Sequence, residues 1–428
     1  MSAAPAGAFR SLRRYNYRLW AGGALVSNVG TGVQRTAQDW LVLTVLTHHS
    51  ASALGVVMAL QFAPQLLLLP WTGSAADRFD RRRLLILTQA TMGALALILG
   101  LLTVSGLMRL WHIYIFAALF GAAAAFDAPV RQVFVAELVG DEDLHNAVTL
   151  NSMSFNMANL VGPAVAGMVI AAVGTGWAFL INGVSFLAVL TSIFLLRASE
   201  LRPPPRGGRA RGAFTEGLRY VAGRRDLVVI LVMLFLIGTF GLNFPIFIST
   251  MAVRVFHADA RGFGMLLSVM AVGTVAGAYL SARSARPSLK TLLWSAALLG
   301  PGFALAAFAP GYWSFAAVLI FIGGACMVFL VSTNTLMQLS TEPAMRGRVM
   351  ALRIGVALGC TPIGAPTVGW IADHLGPRWA LGVGAASGVA AAAVAAYALR
   401  RGWARSPADG DQAGTGVADG TAKPSLIR

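Results

Sequence analysis

The sequence predicts an all-α membrane protein: twelve transmembrane helices in two pseudo-symmetric six-helix bundles. Three observations predict it. Of 428 residues, 57% are hydrophobic and only 12% are charged, whereas a soluble domain carries roughly 25% charged residues. Twelve apolar runs each have the length needed to cross a ~30 Å hydrocarbon layer. A shift of 202 residues places Gly162, Gly167, Gly174 and Trp177 on Gly364, Gly369, Gly376 and Trp379, and Leu150 on Leu352. That repeat relates the fifth run to the eleventh.

Residues 1–18 form a basic arm with Arg10, Arg13, Arg14 and Arg18. No cleavable leader is expected, because the apolar run that follows is span-length and lacks a convincing cleavage site. A first bundle covers 19–197, with spans near 20–46, 53–74, 84–106, 111–135, 146–173 and 177–197. A polar central loop, 198–226, contains Pro203-Pro204-Pro205-Arg206 and ends in a stretch with Phe214, Leu218 and Val221 at helical spacing. Such a stretch fits a short interfacial helix as well as a flexible loop. The second bundle, 227–403, has spans near 227–250, 262–282, 289–309, 313–337, 348–373 and 379–400. Residues 404–428 are rich in Gly, Asp, Ala and Ser and read as a disordered tail.

The net charge of +16 reflects topology. Of 33 lysines and arginines, only Arg109, Arg254, Arg261 and Arg378 fall on the side opposite the termini, and Arg35 falls within a span. This bias places both termini and the central loop in the cytoplasm, across an inner (plasma) membrane. A basic soluble domain is lacking, so no nucleic-acid partner is expected. The only cysteines, Cys326 and Cys360, lie in apolar runs, which excludes a disulfide framework and a cysteine zinc site. No catalytic cluster, metal site or phosphate-binding loop stands out, and the only lysines are Lys290 and Lys423. No cofactor is expected, and neither an ATP-driven pump nor an enzyme is indicated.

Charge inside the spans points to function. Arg35 and Asp39 stand at i, i+4 in span 1, spaced for one salt bridge, with Asp39 toward the outer end. Asp127 lies nearer the inner end of span 4, one turn from Arg131. Asp39 and Asp127, with Arg35, are candidates for proton coupling; a structural interface pair is the alternative. Gln61 and Phe62 beside Pro64, with Asn151, Asn243 and Asn334, are candidates for lining a cavity. An apolar, aromatic cavity of this kind suits an amphiphilic small molecule.

The turn between spans 2 and 3 reads Gly73-Ser74-Ala75-Ala76-Asp77-Arg78-Phe79-Asp80-Arg81-Arg82-Arg83. Gly73, Asp77, Arg78, Arg81 and Arg82 resemble the loop 2–3 motif of the major facilitator superfamily, although Ala75 and Asp80 replace its usual Leu and second Gly. The stretches Arg35-Thr36-Ala37-Gln38-Asp39-Trp40-Leu41 and Phe126-Asp127-Ala128-Pro129-Val130-Arg131 resemble the branch of drug and siderophore exporters related to the transmembrane secretion effectors. The resemblance implies that Asp77 pairs with Arg131 and gates the cytoplasmic side. Gly162-Pro163-Ala164-Val165-Ala166-Gly167 partly resembles the superfamily's antiporter motif in span 5. It implies a proton-coupled exporter of small amphiphilic compounds (drugs, siderophores or secondary metabolites) working by alternating access, and acting as a monomer in the lipid bilayer. A transport-inactive sensor or partner subunit, an importer, and a lipid-modifying membrane enzyme remain as alternatives.

Overall fold

A computed structural model of the chain describes residues 9–140, 142–201, 213–283 and 287–403; the side chains of Gly73, Ser74, Ala76, Asp77, Arg78 and residues 213–215 fall outside that description. The expected disordered tail, the first eight residues and most of the central loop also lie outside it. The described chain is helical and crosses twelve times.

In the first half, span 1 is Tyr15–Trp40, extended by a wider π-helical turn, Leu41–Leu46. Span 2 is Ala51–Leu67 followed by Leu69–Arg78. Spans 3 to 6 are Arg81–Val104, Leu110–Val139, Leu144–Val173 and Thr175–Phe194. A linker helix, Ala213–Ala222, precedes the second half. Span 7 is Arg225–Phe240, Phe244–Thr250 and the π-helical turn Met251–Val255. Spans 8 to 12 are Ala260–Arg283, Leu289–Ala307, Tyr312–Leu339, Arg346–His374 and Pro377–Arg400.

Several helices outrun the hydrophobic stretches that predict them. Span 4 has 30 residues, about 45 Å at 1.5 Å per residue, so its polar end projects beyond the ~30 Å hydrocarbon core. Span 2 is two helices rather than one. Pro64 lies inside the first and Pro70 opens the second, and each proline removes a backbone donor from the ladder.

Packing follows the repeat. Within the first half, span 1 packs on 5 and 6, span 3 on 4 and 6, and span 2 on 4. The second half repeats these pairings six spans on: 7 with 11 and 12, 9 with 10 and 12, 8 with 10. Two long seams, 2 with 11 and 5 with 8, join the bundles. The glycines show that the relation is a pseudo-two-fold. A Cβ on Gly162 would stand 3.0 Å from Gly32 Cα in span 1, whereas one on Gly364 would press into Thr239 of span 7. One on Gly167 would stand 2.7 Å from the Ala260 carbonyl of span 8, and one on Gly369 would press into Ala51 of span 2. Gly174 and Gly376 end spans 5 and 11 with φ of +90° and +104°, a backbone shape that glycine adopts without steric penalty. His49 and His257 precede spans 2 and 8 with φ of 63° and 51°.

Apolar side chains also cover the outside, as lipid requires. On span 6, Phe179, Phe186 and Val189 are buried while Val184, Leu187 and Phe194 are exposed. Trp111, Trp177, Trp313 and Trp379 are exposed near the ends of spans 4, 6, 10 and 12 that lie away from the termini. This is the interfacial position that indole rings favour.

The face carrying the termini, here the terminal face, holds two docked segments. The arm's Arg10 and Arg14 bind Asp143 at 2.5 and 3.1 Å, and buried Ser11 donates to the Asp143 carbonyl at 3.1 Å. Burial pulls the Asp143 pKa upward. Hydrogen bonds from Arg14 and Arg10, with their charges, outweigh it and hold the carboxyl below the usual range. The linker helix expected before span 7 is present. Val221 is buried, Leu218 stays 51% exposed, and Glu216 pairs with Arg348 of span 11 at 2.6 Å.

Candidate coupling site and cleft

Asp127 sits in the half of span 4 nearer the terminal face and is 5% exposed. Its Oδ1 accepts from Thr88 Oγ1 at 2.9 Å and Gln89 Nε2 at 2.7 Å, both on span 3. Its Oδ2 accepts from Arg131 Nε at 3.1 Å and stands 2.9 Å from Arg131 Nη2 in an ion pair. The i, i+4 spacing on one helix brings acid and base together. Arg131 Nη1 also donates to Asn28 Oδ1 at 3.2 Å, and its guanidinium lies 5.8 Å from the centroid of the Trp20 ring. Asn28 in turn donates to Ser154 Oγ of span 5 at 3.2 Å. One connected set of polar groups therefore ties spans 1, 3, 4 and 5 around a single ion pair. Removing one partner of such a pair costs about 3–5 kcal/mol, because the other charge stays buried and unpaired.

The Gly73–Arg83 stretch is helical through Arg78. Asp80, which departs from the motif's second glycine, caps span 3: its Oδ1 accepts from the Arg83 amide at 2.8 Å. Arg81 pairs with Glu137 of span 4, and Arg82 donates to the Ile193 carbonyl of span 6 at 2.9 Å. The Asp77 side chain, and with it the expected Asp77–Arg131 pair, lies outside the described residues, as do the side chain of Arg78 and the surroundings of Gly73. The described hydrogen-bond and ion-pair partners of Arg131 are Asp127 and Asn28.

Among the described residues no direct ion pair links Arg35 and Asp39, although each charge acts on the other. Asp39 is 4% exposed, whereas the Arg35 side chain is exposed. Next to them Gln34 accepts from buried Asn182 at 2.6 Å, fastening span 1 to span 6. Of the expected cavity residues, Gln61, Phe62, Asn151 and Asn334 are all partly exposed. Asn243 is 1% exposed and donates to the Thr239 carbonyl at 2.7 Å, so it serves the break in span 7 instead of a cavity.

The seam between spans 2 and 11 is tight at one end only. A Cβ on Gly55 would lie 2.9 Å from Pro366 Cα, and one on Gly369 3.0 Å from Ser52 Cα. Toward the terminal face the gap widens: a Cβ on Gly359 would meet only Leu66, at 3.4 Å, and one on Gly355 only Leu69, at 4.0 Å. The span 5–8 seam closes at the same far end. There Pro163, Gly167 and Gly264 bring the backbones together, Ser268 donates to the Leu160 carbonyl at 2.8 Å, and Trp40 of span 1 stacks on Phe263 of span 8. In span 5 the far half buries Gly162, Pro163, Ala166 and Gly167, while the near half leaves Asn151 and Asn156 half-buried and Asn159 exposed. The bundles thus meet at the far face and part toward the terminal face.

Sequence reasoning located Asp127 and Arg131 but missed Trp20, Asn28, Thr88, Gln89 and Glu137. A search for polar residues at matching depth in neighbouring spans would have found Thr88 and Gln89.

A two-bundle fold, a buried ion pair in the first bundle and a cleft between the halves together define a membrane transporter of the facilitator fold. The chain belongs to the transmembrane secretion effector family of the major facilitator superfamily, whose model matches residues 6–408. It is 26% identical over 380 residues to the multidrug efflux pump Tap of Mycolicibacterium fortuitum, covering 82% of this chain and 88% of that one. It is 25% identical to the enterobactin exporter EntS of Shigella boydii, covering 77% and 79%. The match to the staphyloferrin A transporter of Staphylococcus aureus, 26% identical, covers 58% of this chain and 62% of that relative, less than two thirds of its length. Among solved structures, a bacterial homolog of the human lysosomal transporter Spinster, inward-facing and unoccupied, aligns with a TM-score of 0.72 at 17% identity, covering 92% and 99%. The nucleoside transporter NupG aligns at 0.71 and 12% identity, covering 90% and 98%. At these identities the structural likeness concerns the fold alone.

Proposed function

We propose that this protein is a proton-coupled exporter of small amphiphilic compounds, working as a monomer in the bacterial inner membrane. The terminal face is then cytoplasmic, as the cation bias requires, and the cleft is open to the cytoplasm. The observation that carries the reading is the buried Asp127–Arg131 pair, held among spans 1, 3, 4 and 5 of the first bundle. Protonating Asp127 removes the charge that holds Arg131 and frees the guanidinium for another partner, with Asp77 the candidate the superfamily motif supplies. A ligand or proton shifts a conformational balance only by its differential affinity for the two states, and a carboxylate whose partner changes between states provides that difference. Asp39, buried beside the exposed Arg35, is the second coupling candidate. The partly exposed Gln61, Phe62, Asn151 and Asn334 suit an amphiphilic solute better than a sugar or a dicarboxylate. The drug and siderophore exporters among the relatives support the outward direction.

The test is purified protein in liposomes with an imposed pH gradient and a lipophilic dye. Gradient-driven dye movement is expected for the wild type, and Asp127→Asn is expected to abolish it. Asp77→Asn and Arg131→Ala should keep the protein in the membrane and cut flux. If a gradient moves no dye from a broad panel, the exporter reading fails and the sensor or partner-subunit alternative takes its place.

A further inference from the structure

We propose that Asp373 is a clasp that holds the far face shut from one side only. Asp373 lies at the last turn of span 11, in the second bundle, yet it caps span 2 of the first. Its Oδ1 accepts from the Ala51 amide at 2.8 Å, and its Oδ2 accepts from the Ser52 amide at 2.8 Å and from Ser50 Oγ at 3.0 Å. Arg254 of span 7 donates through Nη1 to Oδ1 at 3.2 Å and to the Ala372 carbonyl at 3.0 Å. A helix N-terminus leaves amides unpaired and carries partial positive charge, so the carboxylate satisfies two amides across the seam.

Among the described residues the opposite seam has no such clasp. The residue 202 positions before Asp373 is Ala171, which is exposed. The start of span 8 is capped from within, by Asp259 Oδ1 on the Gly262 amide at 2.9 Å. Opening the far face must therefore free the Ala51 and Ser52 amides, leaving span 2 with only its own cap, Ser50 Oγ on the Ala53 amide at 3.2 Å, and Asp373 with Arg254, while span 8 loses nothing. Asp373 thus acts as a positioning residue for the closed far face. This inference rests on the alternating-access reading above.

The test places spin labels on Trp177→Cys and Trp379→Cys, both exposed near the far face, and in a second sample on Leu195→Cys and Arg401→Cys near the terminal face. Cys326 and Cys360 are buried and stay unlabelled. In liposomes, Asp373→Asn is expected to raise the far-open population about tenfold, the effect of losing roughly one charge-assisted hydrogen bond, with a matching shortening of the terminal-face distance. Arg254→Gln should shift both distances in the same direction by less, and it carries the test alone if Asp373→Asn does not fold. Asp259→Ala, which removes a cap within one bundle, should leave both distributions in place. A wild type that samples both states while Asp373→Asn matches it overturns the clasp and leaves alternating access standing. An equal shift in Asp259→Ala also overturns the clasp. A wild type held at one distance under every gradient and dye overturns alternating access and the clasp with it.

Discussion

Asp127 accepts three hydrogen bonds, from Thr88, Gln89 and Arg131 Nε, and pairs with Arg131 Nη2. Asp127→Asn keeps the shape but strands the Arg131 charge. It should destabilise the protein by about 2–4 kcal/mol, somewhat below a fully buried pair, because the Arg131 side chain keeps 16% exposure. Thermal unfolding in detergent, compared with an Arg131→Met, Asp127→Leu double variant, measures this. The double variant should recover most of the loss. Both charges were legible in the sequence because ionisable residues are rare in apolar runs. Thr88, Gln89 and Asn28 were not, because single polar residues are common in membrane helices and usually bond a neighbour. The Arg35–Asp39 spacing permits a direct ion pair, yet among the described residues none is made: i, i+4 places the two side chains on one face, where their charges act on each other without contact.

Helix boundaries and breaks belong to the scale of the element. The apolar runs marked the spans, yet the overshoot of span 4 and the division of span 2 depend on polar ends and proline geometry that hydropathy averages away. The repeat was legible at the glycines because close helix contact tolerates no Cβ. Gly364→Ala should accordingly lower the melting temperature more than Gly382→Ala, since a Cβ on Gly364 meets the Thr239 carbonyl and one on Gly382 meets nothing within 4 Å. The arm offers a pH test. The carboxyl of Asp143 is held below its ordinary value, so its contribution is present above the unfolded pKa of about 4 and lost as pH falls through the depressed folded value. Asp143→Asn should expose Arg13 and Arg14 to limited trypsin cleavage at pH 7, where the wild-type arm resists.

For the whole molecule, the two-bundle plan was legible but its conformation was not. The repeat fixes which helices pair, whereas open and closed arrangements of one sequence differ by only a few kcal/mol. Gly55→Leu should hold spans 2 and 11 apart where the backbones now touch. Transport should stop while membrane insertion continues, as flux and the amount of protein in isolated membranes would show. The left-handed turns at His49 and His257 each cost about 1 kcal/mol for a side chain with a Cβ, and the molecule bears that cost twice, just before spans 2 and 8. Each bend follows a π-helical turn and leads into a corresponding span of its half, so the backbone shape repeats even where the sequence offset does not. Glycine at both positions should therefore preserve export and make the protein harder to melt.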